Sequence, residues 1–202
     1  MLSFNQFLVE NSVSSLSIFD IDDTLFKTDT KVIVKKNNKK VTELNPAEYN
    51  VYKLGDGESF DFSQFRSSSV FAKSAKPIEN VFKTAKKMLA KFTSFKQKKV
   101  VIITARADLD DKNLFLDTFR KYGFNIDNVH VFRAGNMSMP GPAAKAKIAG
   151  DQLKSGNYSV ARMFDDHDGN LDAFLSLKQQ FPNINFEAFL VDKDTGNISR
   201  YH

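Results

Sequence analysis

The sequence contains no cysteine and no tryptophan, and only 9 glycines and 5 prolines in 202 residues. Without cysteine there is no disulfide framework, no thiolate metal site and no cysteine nucleophile. No run approaches the roughly 20 apolar residues that a membrane-spanning helix needs; the longest core-like run is residues 100–105, VVIITA. Residues 1–10, MLSFNQFLVE, lack a basic start and carry Glu10, so they do not read as a secretory signal. These absences point to a reducing cytoplasm as the expected location.

Hydrophobic residues make up 42% and charged residues 26% of the chain, which excludes disorder over its whole length. At about 100–200 residues per domain, the length allows one domain with a decoration. The 29 Lys and Arg against 24 Asp and Glu leave a net charge of +5. That balance favours anionic partners such as phosphates or nucleic acid, although many enzymes carry as much. With 20 Phe and no Trp, Phe must supply most of the bulk of the core.

Hydrophobic patterning sets the order of elements. Residues 17–21, SIFDI, read as a short apolar strand running into acids. Residues 31–36 and 39–44 alternate around Asn37-Asn38, a hairpin with a two-residue turn. Residues 45–75 carry no regular pattern. Pro77 opens a helix over 78–95, with Val81, Phe82, Ala85, Met88, Leu89 and Phe92 at helical spacing. A strand at 100–104 is apolar on both sides, as a central parallel strand is. A helix at 110–122, closed by Gly123, follows. Then come strand 128–133, helix 142–154, strand 159–164, helix 170–180 and strand 185–191, with a turn at 194–196. Such alternation argues an α/β fold with a mainly parallel sheet and helices on both faces. Its site lies beyond the carboxyl ends of the strands.

Three of those strands end in polar groups. The first runs into Asp20-Ile21-Asp22-Asp23-Thr24-Leu25, the second ends in Thr104-Ala105-Arg106, and the third in Asp165-Asp166. Lys145 and Lys147 lie near the start of the helix before the third. Clustered carboxylates repel unless cations or hydrogen bonds hold them. Asp20, Asp22 and Asp165 make a hard oxygen set suited to Mg²⁺. A carboxylate there can attack phosphorus and carry an aspartyl phosphate. A hydroxyl from Thr104 and an ammonium from Lys145 or Lys147 would stabilise the phosphoryl oxygens. A second carboxyl group two residues after the nucleophile can protonate the leaving oxygen and later deprotonate water.

This set of motifs resembles the haloacid dehalogenase (HAD) superfamily of phosphohydrolases. Residues 20–25 match its first motif, D-x-D-x-[TV]-[LV]. Thr104, at the end of an apolar strand, matches the second. Lys145, with Lys147 as the alternative, matches the third, and Phe164-Asp165-Asp166 the fourth. The motifs stand in order over roughly residues 16–192. The resemblance implies a Rossmann-like three-layer sandwich. It implies Asp20 as nucleophile and Asp22 as general acid/base. It implies Mg²⁺ held by the Asp20 side chain, the Asp22 backbone carbonyl and Asp165, with Asp166 a close second acid or further ligand. Thr104, Ala105, Arg106 and Lys145 would line the phosphate site. Lys145 shares a helix face with Ile148, Ala149 and Gln152, and Lys147 lies about 200° around from it.

Residues 29–76 exceed what the core needs. The resemblance implies a small β-rich flap or cap after the first motif, within one HAD-like domain over 1–202. Roughly 40 residues separate Thr104 from Lys145, which leaves no room for a large cap there. Minimal caps in the family go with open sites and bulky phosphorylated substrates. The Asp165-Asp166 pair is similar to the fourth motif of polynucleotide kinase/phosphatase enzymes. The start, M-x-S-F-x-Q-F-L, is similar to that of small HAD proteins of large tailed bacteriophages. The expected function is a Mg²⁺-dependent phosphatase acting on nucleotides or nucleic-acid 3′-phosphate ends, with a phosphatase of small sugar phosphates as an alternative, and with no membrane and no obligate protein partner. A non-catalytic nucleic-acid-binding or assembly protein on the same scaffold is the competing expectation.

Several neighbouring residues have plainer readings. Asp23 suits a turn or cap better than a ligand position. Arg106 can grip a phosphate or pair with Asp108, Asp110 or the acidic cluster. His167 reads as a loop or helix-start hydrogen-bonder, and Asp168 as a helix N-cap. The lysine runs at 35–40 and 83–99 read as solvated faces, although the first borders the nucleophile. Phe60, Phe62, Phe65 and Phe71 read as core, with base stacking as the alternative. No G-x-x-x-x-G-K-[ST] phosphate loop occurs in these residues, so they hold no such kinase domain.

Overall fold

All five residues of SLSIF are buried, which puts this strand at the centre of a sheet. It is β1 (Ser15–Phe19) of the protein, whose computed structural model describes residues 14–94 and 98–202. The stretch read for a secretory signal and Phe95 lie outside the described residues, as does the side chain of Phe92. After β1 come β2 (Phe26–Lys27), β3 (Val32–Lys36), β4 (Lys39–Leu44), α1 (Pro46–Val51) and β5 (Glu58–Asp61). Two short helices, α2 (Ser63–Arg66) and α3 (Ser68–Ser74), lead to β6 (Lys76–Pro77). The regular alternation follows: α4 (Glu79–Ser94), β7 (Lys98–Thr104), α5 (Lys112–Lys121), β8 (His130–Arg133), α6 (Gly141–Lys154), β9 (Val160–Asp165), α7 (Asp168–Ser176), β10 (Asn185–Val191) and β11 (Ile198–Tyr201).

Among the described residues, six strands form the main sheet in the order β11-β10-β9-β1-β7-β8. All pairings are parallel except that of β11 with β10. Side chains alternate across each strand, so the central strands feed two cores. Phe19, Val100, Ile102 and Phe164 pack with Val81, Phe82, Phe115 and Phe119 of α4 and α5. Leu16, Ile18, Val101, Ile103 and Met163 pack with Ala144, Ala149, Leu171 and Phe174 of α6 and α7. The result is the expected three-layer α/β sandwich.

Phe does the work that Trp cannot. Phe19, Phe164 and Phe189 stack across β1, β9 and β10 with centroids 4.5 and 4.7 Å apart. Phe26 meets Phe71, Phe82 and Phe119 edge-on. Burial alone contributes on the order of 1.5–3 kcal/mol for each fully buried ring, here Phe19, Phe26, Phe71 and Phe119.

The segment between the first motif and α4 is entered and left through one ribbon, because Phe26 pairs with Pro77 and Lys27 with Lys76. Its hairpin is as expected: Asn37 and Asn38 hold φ of 51° and 61°, the left-handed pair that a tight hairpin turn needs. Residues 45–75, which show no pattern, are nevertheless ordered. The strand β5 pairs antiparallel with β3 to give the order β4-β3-β5. Helix α1 is started by a capping box between Asn45 and Glu48. A small core of Val32, Val34 and Leu44 gathers Tyr49, Tyr52, Phe60 and Phe65. Phe71 joins the main core, whereas Phe62 is 42% exposed. The strand β11 has no counterpart in the sequence reading; its two inward residues are too few to show a period.

Candidate active site

Parallel strands deliver their carboxyl ends to one edge of the sheet, and β1, β7 and β9 deliver Asp20, Thr104 and Asp165 there. Asp20 stays tied to the neighbouring strand, its N–H donating to the Phe164 carbonyl at 3.0 Å. Asp20, Thr104 and Asp165 are all buried. Lys145 comes from the sheet-facing side of α6, beside Ala144 and Ala149, and is buried too. Its Nζ lies 2.8 Å from Asp20 Oδ1 and 2.8 Å from Asp165 Oδ2. Lys147 faces solvent and pairs with Asp151 at 2.8 Å. Of the two lysines that the sequence leaves open, Lys145 is the one at the acids.

The other Asp165 oxygen, Oδ1, accepts from the His167 N–H at 3.1 Å and from Asn170 Nδ2 at 2.8 Å. Asp166 Oδ1 accepts from the Thr24 hydroxyl at 3.3 Å. Asp20, Asp165 and Asp166 each bring a carboxylate oxygen to within 4.8 Å of the other two. Burial raises the Asp20 pKa well above the usual carboxylate range; Lys145 opposes this, and Asp165, Asp166 and Asp22 add to it. Burial, then the charge of Asp165, pushes Asp166 up to about 7. Burial disfavours the Lys145 charge, but Asp165 and Asp20 outweigh it and hold the ammonium above the usual lysine range.

Three carboxylates therefore share one ammonium. The deficit of two positive charges, with hard oxygens this close, fits a divalent cation such as Mg²⁺. Asp20, Asp165 and Asp166 are the side chains that would hold it. The Asp22 carboxylate stands outside this group, and the expectation for Asp22 as a ligand concerned its backbone carbonyl.

Asp22 belongs to a second network. Arg106 donates from Nε to Asp22 Oδ2 at 2.8 Å and from Nη2 to Oδ1 at 2.6 Å. The Thr28 hydroxyl donates to Oδ1 at 3.1 Å. Arg106 also donates to the Phe65 carbonyl and to Thr30 Oγ1, each at 3.0 Å. This corrects the placement of Arg106 against substrate phosphate: its side chain is fully buried and each guanidinium nitrogen is already engaged. Its backbone N–H donates to Thr104 Oγ1 at 3.1 Å, and Ala105 between them is exposed. Gly135 supports this loop from behind, so closely that an added Cβ would lie 2.2 Å from the Ala105 carbonyl oxygen.

Asp23 is the turn residue expected, with φ of 56° and its N–H on the Phe26 carbonyl; its carboxylate lies 3.6 Å from Lys193 Nζ. The N-cap of α7 is His167, whose side chain accepts from the Gly169 N–H, and Asp168 is the first helical residue. The N-cap expectation thus fell one residue late. Thr28, Thr30 and Asn170 have no role in the sequence reading, and Phe65 enters it only as core or a stacking ring. Asn170 had a signal: five residues after Asp165, it lies in the first turn of a helix that begins at the strand end. No helix among the described residues is long and apolar enough to cross a membrane.

No protein-family model and no curated protein matches the sequence. Among solved structures, the chain is similar to the HAD domain of effector protein Lem4 from Legionella pneumophila. The identity is 12% and the TM-score 0.55, over 91% of this chain and 89% of that one. An inactive mutant of the same domain aligns with 12% identity and a TM-score of 0.54, over 90% and 87% of the two chains. With its sheet order, flanking helices and this likeness, the chain has a HAD-like α/β fold.

Proposed function

We propose that the protein is a Mg²⁺-dependent phosphomonoesterase that works through an aspartyl phosphate on Asp20. One observation carries this reading: the buried Lys145 ammonium bridges Asp20 and Asp165 at 2.8 Å each. The bridge engages Asp20 Oδ1 and leaves Oδ2 without a partner among the described residues. A Mg²⁺ ion held by Asp20, Asp165 and Asp166 would neutralise phosphoryl charge in the transition state.

In this reading Asp20 Oδ2 forms a bond to phosphorus while the bond to the leaving oxygen breaks. Asp22 gives that oxygen its proton. Water then attacks the same phosphorus, Asp22 takes a proton from it, and inorganic phosphate leaves with Asp20 restored. Lys145 stays charged and faces the phosphoryl oxygens as well as the acids. Thr104 Oγ1 accepts from the Arg106 N–H, which leaves its own proton to donate to a phosphoryl oxygen.

The proposed substrates are nucleotides and nucleic-acid 3′-phosphate ends, with small sugar phosphates second. The net charge of +5 and the exposed Lys36 and Lys39 beside the hairpin turn support the polyanionic class. We read residues 29–76 as an insert within one domain. The test is phosphate release with and without Mg²⁺ from an aryl phosphate, mononucleotides, sugar phosphates and 3′- or 5′-phosphorylated oligonucleotides. Release that needs Mg²⁺ and disappears in Asp20→Asn is the expected result. Silence on every ester from folded protein would contradict it. Oligonucleotide binding with a steep salt dependence would then favour a binding role.

A further inference from the structure

We propose that Arg106 is a positioning residue for the acid/base Asp22, and that residues 29–76 hold it in place. This rests on the phosphomonoesterase reading and concerns one step of it. A buried guanidinium is tolerated only when closely paired. Arg106 meets Asp22 with a two-pronged fork, 2.8 Å to Oδ2 and 2.6 Å to Oδ1, a geometry that lysine cannot reproduce. Thr30 and the Phe65 carbonyl hold the guanidinium from the insert at 3.0 Å each. The rings of Phe65 and Phe71 lie 5.2 and 4.9 Å from its central carbon. Its backbone is tied to Thr104. One side chain thus joins the first-motif loop, the end of β7 and the insert.

The bonds also single out an oxygen. A carboxylate offers about four lone-pair sites. Asp22 Oδ1 accepts two bonds, from Arg106 and Thr28, while Oδ2 accepts one. Oδ2 is therefore the oxygen with room for the proton that passes to the leaving group. Without the fork the carboxyl group is free to turn, and proton delivery loses its geometry.

A positioning role differs from a merely structural one in its dependence on the leaving group. An alkoxide must receive a proton as it leaves, whereas a dinitrophenolate leaves without one. The experiment measures kcat/KM with Mg²⁺ for 2,4-dinitrophenyl phosphate and for an alkyl phosphate, in wild type, Arg106→Lys and Thr30→Val, with melting curves for each. Arg106→Lys is expected to lower the alkyl value by about 100-fold or more and the dinitrophenyl value by no more than about threefold. Thr30→Val, close to isosteric, is expected to shift the same ratio by about 3- to 10-fold in the same direction. Equal losses on both esters in either folded variant, or no change in either, overturn the proposal. If Arg106→Lys does not fold, Thr30→Val decides alone. Wild-type silence on both esters marks failure of the phosphomonoesterase reading, and the proposal falls with it; parallel loss against an active wild type marks failure of the proposal alone.

Discussion

The Lys145 ammonium lies 2.8 Å from Asp20 Oδ1, with both side chains buried at the end of the central strand. The same nitrogen serves Asp165, so its removal leaves two buried carboxylates without a cation. Breaking such a pair costs about 3–5 kcal/mol. Lys145→Met is expected to lose that order of stability in urea denaturation and to lose phosphate release. Lys147→Ala removes only an exposed pair with Asp151 and should cost less than about 1 kcal/mol. Comparable damage from the two substitutions would contradict the assignment.

The acids also set a pH dependence. In metal-free protein Asp166 is pushed up to about 7, and Asp20 is raised in the same direction, by burial first and neighbouring carboxylates second. An unfolded aspartate titrates near about 3.9. Between about pH 4 and about 7 the folded state therefore holds more protons than the unfolded one, and stability falls as pH rises through that window. With chelator, the melting temperature is expected to be higher at pH 5.5 than at pH 7.5. Added Mg²⁺ should raise it most at the higher pH, where the acids are ionised. A metal-free protein that gains stability from pH 5.5 to 7.5 would contradict this.

Gly135 is a steric requirement of the site. A Cβ there would lie 2.2 Å from the Ala105 carbonyl oxygen and 2.7 Å from the Ala107 nitrogen, both backbone atoms that cannot step aside. Gly135→Ala is expected to cost roughly 1–3 kcal/mol or more and to displace the loop that follows Thr104. Gly141→Ala meets nothing within 4 Å and serves as the control. The two melting temperatures make the comparison; equal shifts would contradict the close approach.

The hairpin turn carries a local prediction. Asn38 holds φ of 61°, which costs a β-branched residue about 1–2 kcal/mol more. Asn38→Val is expected to lower the melting temperature, and Asn38→Gly to preserve or raise it. The reverse order would contradict a left-handed turn.

What the sequence revealed follows from the range of the forces involved. Strands that end in acids, the Asn37-Asn38 turn and the alternation after Pro77 are local patterns, and each appears in the fold where it was expected. The strand β5 and the Arg106 network are not local. ESFD is too short to show a period and becomes a strand by pairing with β3. Arg106 has several acids within reach along the chain, and only folding brings Asp22, 84 residues away, to its fork. The capping box at Asn45 and Glu48 is a local pattern as well, but the segment around it lacks the apolar spacing that marks a helix. Lys145 is favoured over Lys147 by the helix face it shares with Ile148 and Ala149, a local pattern, and the fold shows that this face of α6 meets the acids.

The proposed reaction puts the phosphoryl group on Asp20. Its most direct test is mass spectrometry of protein quenched in acid during turnover of an aryl phosphate with Mg²⁺, followed by peptide mapping. One added phosphoryl group is expected on the peptide containing Asp20, absent without Mg²⁺ and absent in Asp20→Asn. Turnover with no such adduct, or with Asp20→Asn as active as wild type, would contradict it.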